Sequence, residues 1–245
     1  MPSDRPSTPP GGGAARPGEA EVCESARNLF VGTRIAVGPA NALAGAAETL
    51  ARRARDAGLD VRWAVPANYH VTLKYLGWTR REAIVAIGDA LVRAVAGTAR
   101  FDLQVARLGA FGSGERATVV WAGIVNPAPL AALAAKVDAA MTALGYPAEA
   151  RPYAPHVTLG RLRSPAAIRE VLLPLAEQMF GGGTVDEVIL YESETKPTGS
   201  TYRELRRIGF QTGSQPGSGG EKRQIDRVDV GASEDTDDGW PRGHS

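Results

Sequence analysis

The chain carries one tetrapeptide twice, as His70-Val-Thr-Leu73 and as His156-Val-Thr-Leu159. A helix-like stretch and a glycine precede each histidine, with Gly58 standing 12 residues before the first and Gly145 standing 11 residues before the second. The two copies stand 86 residues apart, from His70 to His156, which is too long for a solenoid repeat of roughly 20–50 residues. Two copies of one α+β lobe, related by a pseudo-two-fold axis, account for it.

The alternation of side chains along a strand gives each tetrapeptide a polar face. His70 and Thr72 point to one side of their strand, while Val71 and Leu73 point to the other side and into a core. The second copy repeats this pattern. If the lobes are related by a two-fold axis, two imidazoles and two hydroxyls meet across one cleft.

These groups suit the displacement of an oxygen at phosphorus. A neutral histidine accepts a proton from water and a protonated histidine donates one to the leaving oxygen, which an ordinary pKa of about 6.5 permits near neutrality. Threonine hydroxyls can donate to the non-bridging oxygens. The symmetry of the two copies leaves the two histidines interchangeable. A shared zinc ion is the alternative, but the third histidine, His244, and Cys23 lie outside residues 28–210.

The hydrophobic patterns predict alternating strands and helices around the two motifs. Thr79 is predicted to cap the second helix, and Gly181–Gly183 to form a turn. The predicted strands are 29–37, 70–76, 101–108, 117–124, 156–162, 184–191 and 201–210. The predicted helices are 39–55, 79–95, 126–144 and 165–179.

Composition separates a folded region from two tails in this chain of 245 residues. Residues 1–27 are rich in Pro and Gly, and residues 211–245 are acidic and Gly-rich, so we expect both segments to be disordered. The folded domain is then 28–210. The formal net charge of the chain is +1, but 28–210 holds 21 Lys+Arg against 16 Asp+Glu, a balance of +5. A moderately basic domain suits an anionic partner.

Other features of the composition indicate the setting of the protein. A single cysteine excludes an intrachain disulfide framework. There is no apolar run of about 18 residues and no apolar segment typical of a signal peptide near the N-terminus. We expect a cytoplasmic monomer without a membrane partner.

Several segments of 28–210 resemble one family. The sequence is similar to the two-histidine (2H) phosphoesterases, and within them to the RNA 2′,3′-cyclic phosphodiesterases, also called 2′-5′ RNA ligases. The matching segments are Asn28–Gly32, Asn68–Gly77 with the first motif, Gly109–Ser113, Val119–Gly123, Arg151–Arg161 with the second motif, Tyr191–Ser193 and Tyr202–Leu205.

The resemblance implies an α+β, bilobal 2H-phosphoesterase fold, with two pseudo-symmetric α/β lobes and antiparallel sheets around a central cleft. It implies hydrolysis of RNA 2′,3′-cyclic phosphate ends to 2′-phosphomonoesters, without metal or other cofactor, and reversible 2′-5′ ligation. His70 would be the proton donor and His156 the proton acceptor, and Thr72 and Thr158 would bind the phosphate. The alternatives are an enzyme acting on a small cyclic nucleotide or a 2′-5′ oligonucleotide, and a non-catalytic binder of RNA ends.

Four further residues are candidates for substrate binding. Arg161 could contact phosphate or stack on a base, although simple alternation puts it opposite His156 unless the strand bends. Lys74 has the parity of His70 and could add positive potential to the cleft. Tyr69 and Tyr153 flank the motifs and could stack on a nucleobase. Core or rim packing is the alternative for both tyrosines.

Overall fold

The described strands pair antiparallel throughout, and helices cover the sheet that they form. The computed structural model describes residues 26–113, 115–196 and 199–210. The strands there are β1 (Ala26–Arg34), β2 (Val61–Trp63), β3 (His70–Arg80), β4 (Phe101–Ser113), β5 (Arg116–Ile124), β6 (His156–Ala166), β7 (Met179–Val185), β8 (Glu187–Lys196) and β9 (Gly199–Gly209). The α-helices are α1 (Val37–Asp56), α2 (Ala83–Val95), α3 (Ala128–Thr142) and α4 (Arg169–Leu172).

The two motif strands lie side by side at the centre of the sheet. The strand order is β7-β4-β5-β6-β3-β1-β8-β9, and β2 pairs with β6. The central strands β3 and β6 are joined only at Val71 and Val157. The sheet therefore divides there into a His70 lobe, made of β3, β1, β8 and β9, and a His156 lobe, made of β6, β5, β4, β7 and β2. This arrangement confirms the predicted bilobal α+β fold.

Neither lobe is a continuous half of the chain. The His70 lobe combines β1 and β3 with β8 and β9, and the His156 lobe combines β2 with β4 to β7. The helices connect the two lobes. Helix α1 follows β1 of the His70 lobe and packs on β7 of the other lobe and on α4, whereas α3 follows β5 of the His156 lobe and packs on β3 and on α2. The lobes are related by their motifs, but each depends on distant parts of the sequence.

Apolar residues at the predicted positions form the core. Val71 and Val157 are fully buried at the junction of the lobes, and Leu73 and Leu159 are buried beside them. The helices add apolar faces to the same core, with Leu43, Leu50, Ile87, Leu91, Leu130, Leu133 and Met141 among the buried residues. Burying one such side chain stabilises the fold by roughly 1.5–3 kcal/mol.

Two predicted helices differ from the structure. The helix at 165–179 is reduced to α4 and a 3₁₀ turn at Leu173–Leu175, because Pro174 lacks the N–H that an α-helix requires at that point. Thr79 does not cap α2. It is buried in β3, and the helix begins at Ala83 after Glu82.

The predicted turn at Gly181–Gly183 is also wrong, because these glycines lie inside β7. A Cβ at Gly183 would lie 2.3 Å from the Cβ of Ala36, so the glycine lets the strand approach the start of α1. The single predicted strand at 184–191 is consequently two strands, β7 and β8, divided at Asp186.

The predicted tails fall mostly outside the described residues. Residues 1–25 and 211–245 are not described, and β1 begins at Ala26, two residues before the predicted start of the domain. Over the described part of the chain, no helix has the length and apolar character needed to cross a bilayer.

Candidate active site

The two motif histidines are held in the same way. The Nδ1 atom of His70 lies 2.7 Å from the carbonyl oxygen of Asn68, and that of His156 lies 2.7 Å from the carbonyl oxygen of Ala154. A carbonyl oxygen can only accept, so each Nδ1 carries the proton. Each neutral imidazole therefore presents Nε2 as a proton acceptor, and each protonated imidazole presents Nε2–H as a donor.

Aromatic rings fix the plane of each imidazole. The ring of Phe30 lies 4.8 Å from that of His70 between centroids, and Tyr202 meets His70 edge-on at 5.1 Å. In the other lobe, Phe111 meets His156 edge-on at 4.7 Å. Gly32 lets the neighbouring strand approach, since a Cβ there would lie 2.9 Å from the backbone oxygen of Val71 and would contact Cδ2 of His70 at 3.4 Å. These contacts restrict the rotation of both histidines.

Each motif threonine lies on the same strand face as its histidine, as the alternation of the strands predicts. The Oγ1 of Thr72 is 3.1 Å from Nε2 of His70. Thr158 occupies the equivalent place on β6, where it faces Trp121 of β5 and lines a pocket with Tyr202. Each histidine is thus accompanied by a hydroxyl that can donate to an anionic oxygen.

Each motif strand has a β-bulge at its leucine. Gly32 pairs with Thr72 and Val31 pairs with Lys74, so Leu73 is an extra residue in β3. The same shift occurs in β6, where Trp121 pairs with Thr158 and Val120 pairs with Gly160. An extra residue reverses the alternation beyond it. The bulges therefore change the face occupied by the side chains that follow each leucine, up to the next register shift of the strand.

Arg161 faces the cleft because of the bulge at Leu159. Simple alternation would put it on the core face, but after one extra residue it shares the face of His156. Its positive charge acts to lower the pKa of His156 and that of Tyr202 across the cleft. Among the candidate binding residues, Arg161 is the one whose position suits a substrate phosphate.

Lys74 is turned away from the cleft by the equivalent bulge at Leu73. Its ammonium is buried, forms an ion pair with Asp138 of α3 and donates to the carbonyl oxygen of Pro147. The prediction that Lys74 adds positive electrostatic potential to the cleft is therefore wrong. This lysine joins β3 to α3 and to the loop after that helix.

The two tyrosines serve the interior rather than offering open stacking surfaces. Tyr69 is 5% exposed and packs in the core, which raises the pKa of its hydroxyl to about 12. The hydroxyl of Tyr153 donates to the backbone oxygen of Thr72 at 2.9 Å, and burial raises its pKa too. Tyr153 precedes His156 in the chain, so this bond ties the second motif to the first.

Burial is the main influence on both histidines. It lowers the pKa of His70, the hydrogen bond to Asn68 opposes the shift, and the charge of His156 adds to it. It likewise lowers the pKa of His156, with Ala154 opposing the shift and Arg161 adding to it. Protonation of His156 therefore disfavours protonation of His70. An anionic phosphate between them would raise both pKa values.

Replacing Arg161 tests this electrostatic arrangement. Because the guanidinium lowers the pKa of His156, Arg161→Gln is expected to raise it, so that half-protonation occurs at higher pH. NMR titration of the imidazole measures the shift directly. Arg163→Gln is the control, since Arg163 is two residues further along β6 and pairs with Asp60 at 3.1 Å. An unchanged His156 titration in Arg161→Gln would contradict the arrangement.

Two residues around the site, Asn68 and Arg62, belong to no recognisable sequence motif for their position there. Asn68 positions His70 through its carbonyl oxygen, and its side-chain Nδ2 donates to Ser200 at 2.7 Å, which links the motif to β9. Arg62 lines the same pocket as Thr158 and Arg161. Its strand β2 spans only Val61–Trp63, which is too short for hydrophobic alternation to identify Arg62. Within the described ranges, no group of three or more His, Cys, Asp or Glu side chains could hold a metal ion.

The sequence matches one family and several of its characterised relatives. The model of the 2′-5′ RNA ligase superfamily matches residues 39–197. An RNA 2′,3′-cyclic phosphodiesterase of Geobacillus stearothermophilus is 32% identical over 142 residues, covering 56% of this chain and 44% of that protein. One from Methanothermobacter thermautotrophicus is 29% identical over 154 residues, covering 62% of this chain and 83% of that protein. The chain thus spans under half of the first relative and most of the second.

Solved structures share the fold. A protein of Thermus thermophilus superposes with a TM-score of 0.61 and 25% identity, covering 75% of this chain and 97% of that one. Escherichia coli LigT complexed with 3′-AMP superposes with a TM-score of 0.59 and 23% identity, covering 76% and 99%. The bilobal architecture is therefore that of known proteins over nearly their whole length.

Proposed function

This chain belongs to the 2′-5′ RNA ligase superfamily, and we propose that it hydrolyses 2′,3′-cyclic phosphate ends of RNA to 2′-phosphomonoesters. The observation that carries the proposal is the matched presentation of two histidine Nε2 atoms, each fixed by an Nδ1–H bond to a backbone carbonyl. Relatives named as RNA 2′,3′-cyclic phosphodiesterases support the choice of substrate.

In the proposed reaction, water attacks the phosphorus atom while His156 accepts its proton at Nε2. The bond between phosphorus and the 3′ oxygen breaks, and His70 donates a proton from Nε2 to the departing oxygen. The products are a 2′-phosphomonoester and a free 3′-hydroxyl. Proton exchange with solvent then restores both histidines. An RNA 5′-hydroxyl in place of water would give 2′-5′ ligation by the same transfers.

The threonines would stabilise the charge that develops on the non-bridging oxygens. Thr72 and Thr158 can each donate a hydroxyl proton to one of these oxygens. In the free protein the Thr72 hydroxyl lies within hydrogen-bond distance of His70 Nε2. The phosphate would take up this hydroxyl and leave Nε2 of His70 directed at the leaving oxygen.

The experiment is end-group analysis of a short oligonucleotide that ends in a 2′,3′-cyclic phosphate. We expect conversion to a product that comigrates with the 2′-phosphate standard and loses its phosphate to alkaline phosphatase. Conversion should persist in EDTA, because the proposed proton transfers need no metal. Protein carrying both His70→Gln and His156→Gln, purified in parallel, controls for contaminating activity.

Three results would contradict the proposal in different ways. Binding without conversion would make the protein a binder of RNA ends. Conversion restricted to a small cyclic nucleotide or to a 2′-5′ linkage would change the substrate. Complete loss in EDTA that zinc restores would replace the metal-independent mechanism.

A further inference from the structure

Two arginines face each other at the edge of the candidate active site. Arg62 of β2 pairs directly with Arg161 of β6, and directly opposed residues of an antiparallel pair have Cβ atoms about 4.5–5.5 Å apart. Val61 and Trp63, on either side of Arg62, pack against the hydrophobic core. Arg62 therefore points to the opposite face, which is the face that Arg161 shares with His156.

No carboxylate among the described residues forms an ion pair with either arginine. Across the part of the chain that the structure describes, neither Arg62 nor Arg161 forms an ion pair, whereas Arg163 on the same strand pairs with Asp60. Like charges placed directly opposite each other destabilise a sheet. The arrangement keeps an electrostatic cost that a bound anion would offset.

The pocket at this pair adjoins the catalytic groups. Arg62 and Arg161 line it together with Thr158 and Tyr202, and Tyr202 also contacts His70. Beyond the bulge, Arg161 lies about two strand positions past Thr158, which corresponds to roughly 7 Å along the strand. The arginine pair is thus displaced along β6 from the groups proposed to surround the reacting phosphate.

We propose that Arg62 and Arg161 bind the phosphodiester on the 5′ side of the terminal nucleotide. The inference rests on the proposed function and specifies its substrate class, which is an oligonucleotide end rather than a nucleoside 2′,3′-cyclic phosphate. Guanidinium groups bind phosphate oxygens through paired, charge-assisted hydrogen bonds, and the fixed fork of Arg suits this anion. A nucleoside cyclic phosphate has no second phosphate to offer.

The test compares substrates that differ in that one phosphate. Adenosine 2′,3′-cyclic phosphate, its 5′-phosphorylated form, the dinucleotide ApA 2′,3′-cyclic phosphate and the same dinucleotide with a neutral methylphosphonate linkage are assayed for kcat/KM. We expect the 5′-phosphorylated nucleotide and the dinucleotide to be preferred over the nucleoside by about tenfold or more. The methylphosphonate should lose this preference.

Arg62→Gln is expected to reduce the preference to near unity and Arg163→Gln to preserve it. The dependence of log kcat/KM for the dinucleotide on log salt should also become shallower by about 0.7 in Arg62→Gln, the slope for one phosphate contact on a single strand. Arg62→Lys keeps the charge and should retain part of the preference. A preference that survives the methylphosphonate linkage, or that Arg62→Gln leaves intact, would overturn the inference.

A binding measurement separates this inference from the proposed function. If no cyclic phosphate were cleaved, the proposed function would fail, but titration with ApA 3′-phosphate and its methylphosphonate analogue would still decide the contact. Tighter binding of the natural linkage, lost in Arg62→Gln, supports the arginine site. Equal binding of the two compounds contradicts it.

Discussion

His70→Gln and His156→Gln are each expected to lower kcat by about 10²- to 10⁴-fold, the usual contribution of a general acid or base. Glutamine can keep a hydrogen bond to the carbonyl of residue 68 or 154 but cannot transfer a proton. Because the histidines act on the same displacement, the double variant should be little worse than either single variant. Turnover of the cyclic phosphate oligonucleotide under saturating conditions measures all three.

The control for this series must separate chemistry from folding. Arg80→Gln changes an exposed residue at the far end of the strand that holds His70, and it should keep wild-type turnover. Thermal unfolding of each histidine variant should follow that of the wild type to within a few degrees. A folded single variant with wild-type turnover would refute the two-histidine mechanism.

Asp138→Ala is expected to reduce the free energy of unfolding by about 2–4 kcal/mol, because it leaves a buried ammonium without its counter-ion. The side chain of Lys74 is 5% exposed and that of Asp138 is 28% exposed. Because the carboxylate is partly exposed, the expected loss of unfolding free energy lies at the lower end of the range for broken buried ion pairs. Urea unfolding monitored by circular dichroism measures the loss. An effect below about 0.5 kcal/mol would show that the ion pair contributes little.

A double replacement and a pH series distinguish the lost charge pair from lost packing. Lys74→Met with Asp138→Leu removes both charges and should recover most of the stability. The hydrogen bond from Lys74 lowers the pKa of Asp138. The pair therefore stabilises the fold fully at pH values above the ordinary pKa of an aspartate. This contribution disappears as the pH falls through the lowered pKa. The gap between wild type and Asp138→Ala should therefore close in acid.

The shared face of each histidine and its threonine could be predicted from the sequence, because it depends on alternation over only three residues. His70 and Thr72 share a face whatever follows them, and so do His156 and Thr158. Beyond the leucine the same reasoning fails. A β-bulge leaves no mark in the hydrophobic pattern, since Leu159 and Gly160 fit an ordinary strand equally well. Its presence follows only from the pairing with the neighbouring strand.

The surroundings of the site were less predictable for a related reason. The burial of Lys74 depends on a helix more than 60 residues later in the chain, where Asp138 lies. The short strand β2 has only three residues, too few for a period to be recognised. The carbonyl groups that fix the histidine tautomers belong to the backbone. Every residue type carries such a group, so the sequence does not identify them.

The interleaved lobes have a consequence for the order in which the protein is made. Synthesis runs from the N-terminus, and domains fold as their sequence emerges. The strands of the His156 lobe are all present once Val185 has been added, whereas His70 still lacks the rings of Tyr191 and Tyr202. A nascent chain on the ribosome can therefore set one histidine of the pair in place well before the other. Strands β8 and β9 emerge later and bring these rings to His70, so a chain interrupted before β8 is expected to lack the proposed activity.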